Sequence, residues 1–126
     1  MTLEEVEGAL KSFKRDKIRG PDGWPIEFYL WFFYLVGEDL LKVVEYSRKE
    51  GRVITSLNST FLTLIPKCDH PHSFAYFCPI SLCNLIYKLI SKIISNRLKP
   101  ILSKAIYIEQ FGFLKDRQIQ EPIGIA

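Results

Sequence analysis

Asn58-Ser59-Thr60-Phe61-Leu62-Thr63-Leu64-Ile65-Pro66-Lys67 and Phe77-Cys78-Pro79-Ile80-Ser81-Leu82-Cys83-Asn84 bracket a polar stretch that holds Pro71 and two histidines. Thr60 to Ile65 is β-branched and apolar and is stopped by Pro66, the composition of a strand. Phe77 to Leu82 reads as its partner, confined to edge pairing around Pro79, whose nitrogen has no hydrogen to give to a ladder. Lys67 to Ala75 is the loop between them, so the stretch predicts an antiparallel β-hairpin over about residues 59–82. Past Asn84 the period changes. Leu85, Ile86, Leu89, Ile90, Ile93, Ile94 and Leu98 recur at three-four spacing, which predicts an amphipathic helix over about 84–99, kinked or ended by Pro100. Lys88, Lys92 and Lys99 fall on its opposite face with Ser91, Ser95 and Asn96, a stripe most often just solvated.

Upstream, Thr2-Leu3-Glu4-Glu5 has the form of a capping box, with Thr2 as N-cap and Glu5 reaching back. It opens a helix over about 2–14 with Leu3, Val6, Leu10 and Phe13 on one face. The basic run Lys14, Arg15, Lys17, Arg19 then leads into the turn-forming Gly20-Pro21-Asp22-Gly23. Pro25 suits the first turn of a second helix over about 25–36, because its missing N–H is unpaired there anyway. A third helix, about 38–50, is expected to start near Gly37 with Glu38 and Asp39 at the positive end of its dipole, and to close at Gly51 behind Arg48 and Lys49. No repeat, low-complexity tract or linker interrupts the chain. The fold class is therefore α+β, mostly helical with one small antiparallel β-hairpin, in a single unit over residues 1–126.

An apolar share of 48% against 25% charged residues belongs to a folding globule rather than a disordered segment. The most hydrophobic run, Trp24 to Tyr34, contains Glu27 and falls short of the roughly 20 apolar residues a membrane span needs. The amphipathic, acidic start is no signal peptide, and three cysteines, an odd number, point to free thiols in a reducing compartment, hence an intracellular protein. A net charge of +3 permits nucleic-acid contact without demanding it.

The sequence carries few marks of enzyme chemistry. There is no phosphate loop of the G-x-x-x-x-G-K-[ST] kind and no G-x-S-x-G elbow. Asp16, Asp22, Asp39, Asp69 and Asp116 are scattered, and Asp22 is better explained as a turn former. Cys68, His70, His72, Cys78 and Cys83 could in principle ligate zinc, but their spacing matches no standard finger. The sequence therefore assigns no catalytic and no metal-binding residue.

Taken together and in order, Gly20-Pro21-Asp22-Gly23, Pro25-Ile26-Glu27-Phe28-Tyr29, the two strand segments, Asn96-Arg97-Leu98, Glu109-Gln110-Phe111-Gly112-Phe113 and Arg117-Gln118-Ile119 closely resemble the fingers region of the reverse transcriptase of plant LINE-type, non-LTR retrotransposons. The resemblance runs almost end to end. It implies a partial fingers/palm of a right-hand polymerase, an RNA-directed DNA polymerase that in the intact family uses Mg²⁺, deoxynucleoside triphosphates and an RNA/DNA template-primer. The fingers hold template and incoming triphosphate; palm aspartates, expected beyond residue 126, hold the two metal ions.

By resemblance Lys67, at the hairpin tip, is a cation facing the triphosphate, with a solvated loop lysine as the bland alternative. Arg97 and Arg117 complete the nucleotide- and nucleic-acid-binding set. Three positions on the nucleic-acid side depart from the family pattern. Cys78 stands where an arginine is expected, and a neutral thiol cannot replace a five-donor planar cation. Cys68 stands where a second basic residue is common, and Asp116 replaces a glycine beside Arg117. Leu30, Trp31 and Tyr34 stand where relatives carry polar residues, leaving the second helix apolar nearly all round; a partner covers it, or the chain self-associates through Trp24–Val36. The expected function is a truncated, degenerate and by itself inactive fragment of a reverse transcriptase that keeps part of the template- and nucleotide-positioning region. The alternatives are a non-enzymatic module binding nucleic acid or a protein partner, and a relic with no selected role.

Overall fold

The computed structural model describes residues 1–15 and 17–106. Its first helix, α1 (Leu3–Lys11), begins where Thr2, in extended conformation, accepts the Glu5 N–H on Oγ1 at 3.2 Å, satisfying one of the orphan donors of the first turn. The helix stops three residues short of the expected end. Ser12 turns its hydroxyl back to donate to the Ala9 carbonyl at 2.7 Å, and such local bonds compete with helix propagation. Val6, Ala9 and Leu10 form its buried face.

The next two helices divide differently from the sequence expectation. Pro25 is the N-cap of α2 (Ile26–Trp31), and α3 (Phe33–Glu50) starts only two residues after α2 ends. Phe32 alone leaves helical geometry, at φ −105° and ψ 20°, so the break falls at 32 and not near Gly37. Gly37 is buried inside α3 because the Phe33 ring lies across it: a Cβ there would come within 3.0 Å of that ring. Glu38 and Asp39 consequently stand in the second turn of α3, away from the strongest part of the dipole field. Gly51, at φ 65°, ends the helix in the left-handed conformation that only glycine adopts cheaply.

The chain divides into two compact units, Met1–Ser91 and the remainder from Lys92. In the first, α1 packs on both α2 and α3, and α2 packs on α3. The core is Val6, Ala9 and Leu10 from α1, Ile26 and Tyr29 from α2, and Leu40 and Val44 from α3, with Leu85, Leu89 and Ile90 from the start of α4 (Leu85–Ala105). Each large side chain so buried contributes about 1.5–3 kcal/mol.

A 3-10 turn over Thr55–Asn58 leads into β1 (Thr60–Pro66), which pairs antiparallel with β2 (Phe77–Cys83) from Thr60↔Cys83 at the base to Pro66↔Phe77 at the tip. Alternation sets Phe61, Thr63, Ile65, Cys78, Ile80 and Leu82 on one face, and Leu62, Leu64, Ser81 and Pro79 on the other. Both faces are rich in apolar residues and both are largely exposed; Leu62 keeps 70% of its surface open. An isolated two-stranded ribbon is marginal in water, so its base must be held.

In the second unit α4 continues through Pro100 to Ala105 instead of ending near residue 99. Pro100 removes one internal N–H but leaves the helix unended. Ile93 is buried, whereas Ile94, Leu98, Ile101 and Leu102 are exposed. The α+β class read from the sequence is the class of the structure, with four α-helices and one antiparallel hairpin among the described residues. Among the described residues no helix is long and apolar enough to cross a membrane. The element expected to open after Gln118 lies outside the described residues.

Candidate nucleic-acid interface

The hairpin is held at its base by a lock built from two of the sequence blocks singled out above. Gly20-Pro21-Asp22-Gly23 forms a turn closed by the Gly23 N–H on the Gly20 carbonyl at 3.0 Å, with Gly23 at φ 71°. The Asp22 carboxylate accepts the Trp24 N–H at 3.3 Å, the self-capping habit that makes Asp a turn residue. The turn then docks across the chain, with the Asp22 N–H donating to Asn84 Oδ1 at 3.0 Å. The other end of the same amide donates to the carbonyls of Ser56 and Leu57, each at 3.4 Å. Asn84 is 3% exposed, and its amide uses both acceptor and donor to tie three segments together.

Gly20 completes the lock. A Cβ at this position would lie 2.5 Å from the Cys83 carbonyl oxygen and 2.7 Å from the Asn84 nitrogen, both backbone atoms that cannot swing aside. Cys83 ends β2, so the turn rests directly on the junction between hairpin and α4. Below it, Tyr29 has its phenol pushed up to about 12, first by burial and then by the Asp22 carboxylate, since both disfavour a phenolate.

The hairpin tip carries Lys67, which the family resemblance assigns to phosphate contact, and Cys78, where that resemblance expects an arginine. The Lys67 N–H donates to the Tyr76 carbonyl at 2.7 Å, continuing the ladder one step past Pro66↔Phe77. Its Nζ donates to the Ala75 carbonyl at 3.2 Å, which leaves an exposed ammonium with donors to spare. Cys78 pairs with Ile65, one rung inside the tip, and is also exposed. An open depression of roughly 400 Å³ lies here, lined by Pro66, Lys67, Cys68, Asp69, Pro71 and Phe77.

Lys67 and Cys78 are therefore neighbours at one end of the ribbon. Arg97 lies in α4 in the second unit, and Arg117 and Asp116 lie outside the described residues. The zinc alternative does not assemble. Cys83 sits at the hairpin base, where its sulfur accepts from Thr60 Oγ1 at 3.4 Å, while Cys78 is five rungs away towards the tip. No group of three metal-capable side chains forms among the described residues. On α2 and the start of α3, Trp31 and Tyr34 are 71% and 79% exposed, with Leu35 beside them, so the apolar excess is a surface.

Sequence reasoning passed over Asn84. It is the residue between a strand and a helix, where Asn reads as an ordinary helix-start residue; its partners lie 62 and about 28 positions away in the chain.

No protein-family model matches the chain. Over 119 residues, 94% of its length, it is 34% identical to the "Transposon TX1 uncharacterized 149 kDa protein" of Xenopus laevis. The chain spans 9% of the length of that relative. It is thus similar to one short portion of a much larger transposon protein.

Proposed function

We propose that this chain is derived from a LINE-type, non-LTR retrotransposon and corresponds to the fingers portion of its RNA-directed DNA polymerase, of the plant type its motifs resemble. The observation that carries the reading is the 34% identity to a transposon protein over nearly the whole chain. The lock of the Gly-Pro-Asp-Gly turn on Cys83–Asn84 supports it, because it gives two separated motif blocks one physical purpose: aiming the hairpin. In this reading the ribbon carries Lys67 at its tip toward the phosphates of a template or incoming nucleotide, with Arg97 and Arg117 as further contacts. Cations at such positions orient the substrate and offset its charge.

The described residues do not fit a pair of Mg²⁺ ions. Asp22 serves a turn, Asp39 pairs with Lys42 at 2.9 Å on α3, and Asp69 belongs to the tip loop. No chemical step is therefore assigned to the described residues, whose role in this reading is positioning. The test is binding and extension in parallel. The chain binds single-stranded RNA weakly and without sequence preference, Lys67→Ala weakens that binding, and a primed RNA template with Mg²⁺ and triphosphates is not extended. RNA affinity unchanged by Lys67→Ala would remove the hairpin tip from the reading; template-dependent extension by rigorously purified protein would overturn the positioning role.

A further inference from the structure

At the opposite end of the hairpin from Lys67, about 20 Å away by strand rise, a cavity of about 250 Å³ opens beside the Gly20 turn. Ile26 and Leu85, 6% and 9% exposed, lie deepest in its wall, with Phe13 and Trp24 beside them. Four cations also line it: Lys14, Lys17, Arg19 and Lys88. Among the described residues none of the four meets a carboxylate, whereas Lys11, Lys42 and Arg48 pair with Glu7, Asp39 and Glu45. Trp24 leans on Phe28, ring centroids 4.2 Å apart and tilted by 36°, and is still 49% exposed. One side of the indole is braced, and much of the rest is open.

We propose that this cavity binds one nucleoside-phosphate unit, the base stacked on Trp24 and the phosphate among Arg19, Lys14, Lys17 and Lys88. A braced aromatic beside clustered cations is the combination that holds single nucleotides, because every base has a π-face and every phosphate a charge. Arg19 adds a planar fork that matches phosphate oxygens two at a time. The volume lies just below that of pockets for drug-sized ligands, which favours one unit over a long ligand. The unit is either a free nucleotide or one residue of a single strand. The proposal rests on this cavity alone and not on the polymerase reading, so either can fail without the other.

The chain has two tryptophans, so in Trp31→Phe the fluorescence reports Trp24. The full chain in that background is titrated with AMP, adenosine, inorganic phosphate, a ten-nucleotide single-stranded DNA and a ten-residue glutamate peptide. AMP quenches Trp24 saturably, and adenosine and phosphate bind at least tenfold more weakly. Arg19→Ala weakens AMP about tenfold with unchanged circular dichroism, whereas Lys49→Ala, the same charge loss on an exposed part of α3 outside the cavity, does not. Tighter binding of the oligonucleotide than of AMP identifies a strand as the source; equal affinity identifies the free nucleotide. No saturable quenching by AMP or the oligonucleotide, equal affinity for the glutamate peptide, or indifference to Arg19→Ala would each overturn the proposal.

Discussion

Replacing Asn84 by alanine removes the amide that joins the Gly20 turn, the 3-10 turn and the hairpin–α4 junction. Three hydrogen bonds go with it, one at 3.0 Å and two at 3.4 Å. The shorter bond has a net worth of about 0.5–1.5 kcal/mol, and the Asp22 N–H left without a partner in a part-buried site costs about 1–3 kcal/mol. The two longer bonds add less, because their geometry is near the limit of useful length. The expected destabilisation is about 2–4 kcal/mol, a large share of the roughly 5–15 kcal/mol that holds a small domain. Urea unfolding followed by far-UV circular dichroism measures it as a fall in the midpoint at constant m. Asn84→Asp keeps the acceptor for the Asp22 N–H but loses both donors and sets a second carboxylate beside Asp22, so it is also destabilised. A loss below about 0.5 kcal/mol for Asn84→Ala, the range of an ordinary surface change, would refute the lock.

The phenol of Tyr29 stays protonated in the fold up to about 12 against an ordinary value near 10. A raised folded value means stability is complete below pH 10 and falls by about 1–3 kcal/mol as pH rises from 10 to 12; Tyr29→Phe removes that share of the alkaline loss, and identical pH profiles for parent and variant would contradict it. If the exposed Trp31 and Tyr34, with half-buried Leu30, mediate self-association, their replacement by Lys, Asp and Lys in that order is expected to raise the monomer fraction in sedimentation. A parent protein already monomeric at high concentration would argue against this.

The hairpin and the long C-terminal helix are legible in the sequence because local signals agree: β-branched residues up to a proline, then a clean three-four period from Leu85. The division of the middle helices is not. Trp24 to Val36 is apolar almost without interruption, so no periodic signal marks Phe32 as the break, and Gly37 resembles a boundary until Phe33 is seen packed across it. Pro100 misleads in the opposite sense, since a proline that usually ends a helix lies within α4. Lys67 stands at the hairpin tip, as a strand stopped by Pro66 implies, whereas the pairing of Cys78 with Ile65 is visible only in the structure. The lock and the cationic cavity were not legible, because both depend on residues some 60–70 positions apart being brought together: Asp22 with Asn84, and Arg19 with Lys88.

The central claim, that the hairpin tip faces nucleic acid, is tested most directly by restoring the cation at position 78. Fluorescence anisotropy with single-stranded RNA across a salt series compares the parent, Cys78→Arg and the charge-neutral Cys78→Gln. One added phosphate contact steepens the log K versus log salt slope by about 0.7. A charge-assisted bond discounted for its exposed position gives about 1.4 kcal/mol, a tenfold gain in affinity. Cys78→Arg showing both effects and Cys78→Gln neither is the predicted result; equal affinities and slopes for all three proteins would contradict the account.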